Sequence, residues 1–400
     1  MLYVLLDNLR PKLIDWNVYW MFMVLDQRAF RALAAAGLAF LGVVIAGKPV
    51  IRWLRAKKIG DTGMADTELL RQQAQSKANV PTMGGILICG AILGSTVLLA
   101  DIRNFYVVLG LVVLLWLAGL GGIDDWLKLT AASRPGGSRQ GLRAWEKLVF
   151  QLGLGVLVGY FVYVKGSTEG MENNLGHVLN LPLQATYAGA AGKLNEHLIF
   201  FTGPLGRALF VGIAVLMVAG MSNAVNITDG MDGLATGTTA IVSLGLVVLV
   251  GIAGWDTAAQ YLLVPFIVEG NELTVLAASI TGACLGFLWW NCSPAQVFMG
   301  DTGSLALGGL LGYIAVVIRQ EALLLLMSGV FLMEIASVVM QVGWFKYTRR
   351  RTGVGQRLFK VAPIHHHFHI LGWTESTVVA RFWIIAAILV VAALALVKVR

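Results

Sequence analysis

Three short acidic segments lie between long apolar runs, and they contain the residues whose types could do chemistry. The first ends in Asp124 and Asp125, the second contains Asp229 and Asp232, and the third contains Asp301. Clustered carboxylates repel one another and resist joint ionisation, and a divalent cation relieves that repulsion. Since Mg²⁺ prefers a few carboxylates together with phosphate oxygens, these segments indicate a site for phosphate-ester chemistry.

Each segment taken alone also has a purely structural interpretation. Consecutive residues on a helix point about 100° apart, so Asp124 and Asp125 are expected to differ in role, or to be polar residues at the headgroup level. Asp229 and Asp232 share one face if their segment forms a helical turn, although Asx residues also cap helices. Asp301 is expected to begin a helix, either as an N-cap or as a ligand of Mg²⁺ beside a phosphate.

Lysine and histidine residues accompany the acidic segments. Lys77 and Lys147 are expected at the cytoplasmic ends of membrane spans, where a lysine can also serve only as a membrane anchor. Four of the chain's six histidines lie close together, among them His365, His366 and His367. Imidazole can bind phosphate, transfer a proton or ligate a metal, but a zinc site is not indicated because no nearby cysteine completes a tetrahedral set. The combination of carboxylates with nearby lysine and histidine residues indicates an enzyme that transfers a phosphate group.

The composition of the chain indicates a membrane protein. Of its 400 residues, 57% are apolar and 13% are charged, with a mean hydropathy of +0.75, whereas a soluble domain has about 25% charged residues. The three cysteines have no metal-binding spacing, and disulfides are not expected. The net charge of +8 lies in a few loops without interleaved aromatic residues. This distribution indicates that the basic residues orient the chain in the membrane and bind anionic substrates. No nucleic acid is expected as a partner.

The apolar runs predict an all-α polytopic membrane protein, with a single integral-membrane domain over residues 1–400. A span needs about 20 apolar residues. Ten candidate spans are 29–51, 84–100, 106–123, 147–164, 205–222, 236–253, 273–290, 303–318, 321–345 and 377–397. The segment 1–28 is interrupted by charges, so it is expected to be an interfacial segment and not a secretory signal.

Lysine and arginine residues predict the orientation of the spans. They are concentrated in the loops after the first, third and ninth candidate spans, which are therefore expected to be cytoplasmic. Both termini are then periplasmic, as is the segment 165–203, in which a small hairpin is expected. The histidines fall in a cytoplasmic loop, 346–376. All three acidic segments also fall on the cytoplasmic side, which predicts one polar site facing the cytoplasm.

Five ordered motifs resemble the polyprenyl-phosphate N-acetylhexosamine-1-phosphate transferases. They are PTMGG at 81–85, DDWLK at 124–128, NAVNITDGMDGLATG at 223–237, GFLWWNCSPAQVFMGDTGSLALGG at 286–309 and PIHHHF at 363–368. The resemblance covers nearly the whole chain. It implies ten transmembrane helices, a homodimer in the bacterial inner membrane, and a cleft that faces the cytoplasm.

The histidine motif resembles the branch of this family that acts on a muramoyl peptide. That resemblance implies Mg²⁺-dependent transfer of phospho-MurNAc-pentapeptide from UDP-MurNAc-pentapeptide to undecaprenyl phosphate, with lipid I and UMP as products. A transferase of GlcNAc-1-phosphate is the alternative within the family. A transporter is the alternative outside it, and it predicts ionisable groups at mid-membrane. Glu334 is the only clear acidic residue in the middle of a candidate span.

The resemblance also implies roles for individual residues. Asp301 is implied as the Mg²⁺ ligand. Catalytic roles are implied for Asp124, Asp125, Asp301, Lys147, His365, His366 and His367. Substrate-binding roles are implied for Lys77, Thr82, Asn226, Asp229, Asp232, Asn291, Phe298 and Gln341. An aromatic ring beside an amide, as at Phe298 and Asn291, could hold a nucleobase, although packing in the interior is the alternative.

A mechanism is predicted in which an oxygen of the lipid phosphate attacks the β-phosphorus of the UDP-sugar. Asp124 is expected to be the general base or to orient the lipid phosphate through Lys147, and a two-step route through an aspartyl phosphate stays open. The chain departs from the family pattern at the long loop 129–141, at His369 and in the enlarged segment 165–203.

Overall fold

The computed structural model describes residues 1–57, 80–130, 141–167, 175–188 and 193–398, without the side chains of 167 and 398. The described part is mainly helical. Its α-helices, in chain order, are α1 Leu2–Asp15, α2 Arg28–Ala56, α3 Gly85–Leu99, α4 Phe105–Thr130, α5 Ala144–Ser167, α6 Gly203–Thr228, α7 Leu234–Ala253, α8 Asp256–Tyr261, α9 Leu273–Asn291, α10 Gly300–Val317, α11 Glu321–Met327, α12 Gly329–Thr352, α13 Ile364–Ile370 and α14 Glu375–Lys398.

The prediction of an all-α polytopic membrane protein is confirmed. Within the described ranges, nine helices are long and apolar enough to cross a membrane. The candidate span 84–100 forms α3, which has only 15 residues against the roughly 17 to 25 of an ordinary span. The count of ten spans and the periplasmic position of the termini therefore stay predictions.

The candidate span 321–345 is divided in the structure. α11 ends at Met327, and α12 begins at Gly329 after a break at Ser328. Glycine is a poor residue for a helix interior. A Cβ at Gly329 would stand 2.6 Å from a methyl group of Leu389, so glycine here also lets α14 approach closely.

The segment 165–203, where a small hairpin is expected, contains two short antiparallel ribbons. β1 (Val178–Leu179) pairs with β4 (Ile199–Phe200), and β2 (Tyr187–Ala188) pairs with β3 (Lys193–Leu194). The buried Arg319 ties this segment to the end of α10, because its guanidinium donates to the carbonyl of Val178 at 3.0 Å.

The buried centre of the bundle is α10, which packs against α4 and α6. Glycines allow this packing. A Cβ at Gly308 would stand 2.3 Å from the carbonyl oxygen of Met221, and one at Gly312 would stand 2.3 Å from that of Met217. Small residues at helix contacts let backbones approach closely in membranes. The approach sets α6 beside the first turn of α10, which begins at Gly300.

We expect Gly312→Ala to lower the thermal unfolding temperature of the detergent-solubilised protein. The added methyl group has no room against the backbone of α6, and overpacking of this kind costs about 1–3 kcal/mol. Gly212 on α6 is the matched control, because a Cβ there meets nothing within 4 Å. Gly212→Ala should leave the unfolding temperature unchanged or raise it. Equal effects of the two substitutions would show that the close approach does not limit stability.

Candidate active site

The first and third acidic segments meet where α4 passes the beginning of α10. Asp124 and Asp125 lie on α4, Asp301 lies in the first turn of α10, and each of the three offers a carboxylate oxygen within 4.8 Å of the others. Gly121 makes this approach possible, because a Cβ there would stand 2.2 Å from the carbonyl oxygen of Asp301. The sequence prediction that these residues lie together agrees with the structure.

Asp125 binds the beginning of α10. Its Oδ1 accepts a hydrogen bond from the backbone N–H of Asp301 at 3.1 Å, and its Oδ2 accepts from the N–H and the hydroxyl of Thr302 at 3.0 and 2.7 Å. The first N–H groups of a helix lack partners within the helix and attract negative charge. Gly300 leads into this turn with a φ of 73°, in the left-handed region that favours glycine. Asp125 therefore holds Asp301 in place.

Asp124 and Asp301 share two lysines. The Nζ of Lys147 lies 2.7 Å from Oδ2 of Asp124 and 2.6 Å from Oδ2 of Asp301. The Nζ of Lys128 lies 2.8 and 3.3 Å from the same two oxygens. Asp124 is buried, whereas the Asp301 side chain is 13% exposed. Two carboxylates that converge on one ammonium group form a site with strong preference for cations.

The remaining carboxylate oxygens of this cluster also have partners. Oδ1 of Asp124 accepts from the N–H of Leu142 at 2.6 Å. Oδ1 of Asp301 accepts from the side-chain amide of Asn226 at 2.9 Å, and that amide also donates to Ser304 at 2.8 Å. Asn226, on α6, therefore orients the more exposed carboxylate of the cluster.

The donor set of this cluster fits a Mg²⁺ ion. Its ligand atoms are carboxylate oxygens, which a hard divalent cation prefers. The ammonium group of Lys147 lies between Asp124 and Asp301, where it neutralises the two carboxylates as a metal ion would. Asp301 is the accessible member, so it is the residue that can face a ligand from outside the protein.

The second acidic segment is not a single helical face, and this corrects the expectation from its spacing. α6 ends at Thr228 and α7 begins at Leu234, with a turn between them. Gly233 has a φ of 80°, a left-handed conformation that interrupts any continuous helix. Asp229 and Asp232 consequently have different surroundings.

Asp229 faces the other two acidic segments. Burial, followed by the charges of Asp301 and Asp125, raises the pKa of the Asp229 carboxyl to about 8. Asp232 faces elsewhere. Its Oδ2 accepts from the N–H of Ala295 at 3.0 Å, and its own N–H donates to Glu375 at 2.8 Å. Asp229 therefore lies near the acidic cluster and is held largely in its uncharged form at neutral pH, whereas Asp232 supports a neighbouring loop.

Asn291 connects the turn between α6 and α7 to the loop before α10. Its side-chain oxygen accepts from the N–H of Gly233 at 3.1 Å and the hydroxyl of Thr236 at 2.9 Å. Its amide nitrogen donates to the carbonyl of Val297 at 2.9 Å, and the residue is buried. The structure thus gives Asn291 a role in joining two loops of the site, and direct contact with a substrate stays a prediction.

Thr82 and Phe298 lie on two short segments that pair beside the cluster. The backbone of Phe298 donates to the carbonyl of Pro81 and accepts from the N–H of Gly84, both at 2.8 Å. Thr82 is close to Gly300, since a Cβ there would stand 3.0 Å from the Thr82 hydroxyl. Lys77, the remaining predicted residue of this region, lies outside the described residues.

Two of the predicted histidines pack beneath the turn that contains Asp229. A Cβ at Gly230 would stand 2.4 Å from Nε2 of His365 and 3.4 Å from Nε2 of His366. The two imidazole rings lie 4.2 Å apart. Glycine at position 230 therefore leaves the space in which the histidines reach the site.

The other predicted residues of this region hold the loop between α12 and α13. Gln341 accepts hydrogen bonds from the N–H groups of Leu358 and Phe359 at 3.0 and 2.8 Å. His367 accepts from the N–H of Lys360 at 3.1 Å. His369 forms a hydrogen bond with the carbonyl of Trp373 at 2.8 Å, which gives it a partner within the same loop.

Two residues of the site were not among the predicted ones. Lys128 follows Asp124 by four residues on α4, and that spacing places both side chains on one face of a helix. Glu334 binds His365 at 2.9 Å. Sequence spacing could have indicated Lys128, whereas no sequence pattern connects Glu334 with a residue 31 positions away.

An open apolar groove leads along the surface of the bundle to this cluster. Its volume is about 620 Å³, and it lies between α3 and α4. Met83, Ile86, Leu93 and Trp126 are among its lining residues. Thr302 also lines it and donates its hydroxyl to Asp125. The groove therefore joins the membrane-facing surface to the charged cluster.

Comparison with known proteins identifies relatives along nearly the whole chain. The model of glycosyl transferase family 4 matches residues 106–319. A phospho-N-acetylmuramoyl-pentapeptide-transferase of Salinibacter ruber is 40% identical over 95% of this chain and 96% of its own length. Proteins of the same name from Chlorobium chlorochromatii and Chloroherpeton thalassium are 39% and 37% identical, each over 94% of this chain and 95% of their own length.

Proposed function

The chain belongs to glycosyl transferase family 4 and to the family of phospho-N-acetylmuramoyl-pentapeptide-transferases, and on that premise we propose its reaction. The protein transfers phospho-MurNAc-pentapeptide from UDP-MurNAc-pentapeptide to undecaprenyl phosphate, with lipid I and UMP as products. The observation that carries the proposal is the cluster of Asp124, Asp125 and Asp301 beside Lys147. Carboxylates and lysines gathered at one face of a membrane bundle suit the transfer of a phosphorylated sugar.

Mg²⁺ is the proposed cofactor, with Asp301 as its ligand. The Asp301 carboxylate is the accessible member of the cluster, and Lys147 and Lys128 neutralise it in the absence of a metal ion. A bound Mg²⁺ supplies charge neutralisation at the UDP pyrophosphate and at the UMP leaving group. Asp125 has both oxygens on the first turn of α10, so its contribution is to keep Asp301 in position.

The lysines orient the phosphate groups. Lys147 and Lys128 bring positive charge to the open side of the cluster, where they can bind phosphate oxygens as point charges. An oxygen of the lipid phosphate attacks the β-phosphorus of the UDP-sugar. A phosphate monoester has a second pKa near 6, so it needs little help from a base at neutral pH. Asp124 therefore acts mainly through Lys147, by holding the ammonium group where the lipid phosphate binds.

Direct attack by the lipid phosphate is favoured over an aspartyl-phosphate intermediate. One oxygen of Asp124 pairs with two lysines, and the other accepts from the N–H of Leu142. A carboxylate with both oxygens engaged and no exposed surface is a poor nucleophile, because those contacts stabilise the ion that would have to react.

The apolar groove between α3 and α4 is the proposed position of the isoprenoid chain. Its lining is almost entirely apolar, and it includes Thr302, whose hydroxyl binds Asp125. A chain in the groove places its phosphate at the charged cluster without leaving the membrane. The hydrophobic gain is about 0.8 kcal/mol for each buried methylene group.

The remaining proposals concern the whole protein. Exposed arginines end α12, at Arg349 to Arg351, and Arg52 and Arg55 lie at the end of α2. These charges support a cytoplasmic site in the bacterial inner membrane, with both termini and the β-ribbons periplasmic. A homodimer and ten spans complete the proposed architecture.

A donor-substrate assay tests the proposed function. The purified protein in detergent is supplied with undecaprenyl phosphate, Mg²⁺ and either UDP-MurNAc-pentapeptide or UDP-GlcNAc, and UMP release is measured. We expect release only with the muramoyl donor. Release only with UDP-GlcNAc would identify a GlcNAc-1-phosphate transferase, and no release with either donor would reopen a transport function.

Replacement of the proposed metal ligand should abolish turnover. We expect Asp301→Asn to lower kcat by about 100-fold or more, the size of loss that follows removal of one group stabilising transition-state charge. UMP release is measured as Mg²⁺ is titrated, and thermal unfolding reports the fold. Asp15→Asn, an exposed residue on α1, is the control and should behave as the wild type. Full activity of Asp301→Asn would remove this residue from the metal site.

A side chain placed in the groove should weaken binding of the lipid acceptor. Gly90 lines the groove, and a Cβ there meets nothing within 4 Å. Gly90→Leu should raise KM for undecaprenyl phosphate by about tenfold, the equivalent of two methylene groups at ~0.8 kcal/mol each. KM for the UDP-sugar should not change.

Gly94→Leu is the matched control for the groove. Gly94 lies one turn further along α3. A Cβ there also meets nothing within 4 Å, but this residue does not line the groove. An acceptor with a short isoprenoid chain should be less sensitive to Gly90→Leu than the long one. Equal KM values for the wild type and Gly90→Leu would exclude the groove as the lipid site.

A further inference from the structure

Glu334 is a carboxylate in the second turn of α12 that has no exposed surface. Its Oε2 lies 2.9 Å from Nδ1 of His365, which is also fully buried. Ionisable side chains within membrane spans are costly, and where they occur they usually serve a function and have a partner. Here the partner is a histidine that packs beneath the charged cluster.

Each side chain of this pair has a second polar atom, and that atom lacks a hydrogen-bond partner among the described residues. Within the described part of the chain, neither Oε1 of Glu334 nor Nε2 of His365 has a hydrogen-bond partner, and both atoms are buried. Most buried polar atoms in proteins have partners, so exceptions require an explanation. A pair built only to join α12 to α13 would have no reason to leave the second imidazole nitrogen unpartnered.

The unpartnered nitrogen faces the turn that carries Asp229. A Cβ at Gly230 would stand 2.4 Å from Nε2 of His365, so the ring lies directly against the backbone of that turn. Nε2 of His366 approaches the same point. Asp229 is adjacent to Gly230, so the His365 ring packs one residue away from a carboxyl group that lies near the acidic cluster.

We propose that Glu334 is a positioning residue for the transfer reaction, acting through His365. A carboxylate that accepts the hydrogen on Nδ1 fixes the orientation of the ring, and it leaves Nε2 as the only atom through which the ring acts on the site. The ring then supports the turn between Asp229 and Gly233 from beneath. This inference rests on the proposed function, because it assigns a role in that same reaction.

The inner face of α12 supports this assignment. Gln341 lies two helical turns beyond Glu334 and binds the backbone of Leu358 and Phe359, in the same loop that leads to His365. α12 thus holds the histidine loop at two points. One is a neutral amide bound to backbone, and the other is a buried carboxylate bound to an imidazole.

The test compares Glu334→Gln with His365→Gln and with the double variant. We expect Glu334→Gln to lower kcat by about 10- to 100-fold, the loss typical of removing a carboxylate that orients a histidine at an active site. KM for the UDP-sugar should change much less. If Glu334 acts only through His365, it should have no further effect on kcat in the His365→Gln background.

Glu321→Gln is the matched control. Glu321 is also a buried carboxylate with a single charged partner, Arg319 at 2.7 Å, but it lies on α11 beside the β-ribbons. Its replacement should lower the unfolding temperature and leave kcat unchanged. If Glu334→Gln does not fold, Glu334→Asp replaces it, because the shorter side chain withdraws the carboxylate without adding an apolar group.

Nitrogen-15 NMR of labelled histidine provides a readout that does not depend on turnover. The signal lost in His365→Gln identifies the residue, and it should show hydrogen on Nδ1 in the wild type and a changed pattern in Glu334→Gln. Unchanged kcat with a lower unfolding temperature in Glu334→Gln would make the pair purely structural. Additive effects on kcat would show that Glu334 does not act through His365.

Failure of the proposed function gives a different result. In that case the wild type releases no UMP, whereas the NMR pattern of His365 still reports whether Glu334 fixes its ring. A wild-type signal without hydrogen on Nδ1 would overturn the positioning role even in an active enzyme.

Discussion

The binding of Asp125 to the first turn of α10 is the interaction on which the site depends. A carboxylate buried among apolar helices would be unstable without donors, and the free N–H groups of Asp301 and Thr302 supply them. The same contact sets the distance between α4 and α10. Asp124 and Asp301 can therefore converge on Lys147, and their charges are balanced before any ligand arrives.

The close approach of helix backbones makes that contact possible. Glycines at 85, 121, 308 and 312 leave no room for a side chain against a neighbouring backbone. In a membrane, moving an apolar side chain from lipid into the protein interior releases little free energy, because both surroundings are apolar. Close packing between helices therefore contributes much of the stability of a bundle. Glycine thus has two effects here, because it stabilises the buried α10 and it brings charged residues from different helices within reach of one another.

The polar residues of the site divide into two groups. Asp125, Asp232, Asn291 and Gln341 use their hydrogen-bonding atoms on backbone groups of neighbouring loops. Asp301 and the lysines keep charge that faces the open side of the cluster. Similar residue types in one motif therefore have different roles, and bonding to backbone groups is what distinguishes the first group from the second. Asp229 and Asp232 have different partners, because they lie in the turn between α6 and α7 and not on one helical face.

The sequence by itself determined that the protein is a helical membrane protein, and it predicted a site formed by acidic segments and histidines. Hydropathy and residue type are local properties, so long apolar runs and rare charges are visible along the chain. Only the tertiary structure decided which residues pair. The break at Ser328, the different surroundings of Asp229 and Asp232, and the contact of Glu334 with His365 depend on helices distant in sequence. Such contacts are set by the close packing of whole helices, which no local pattern of residues records.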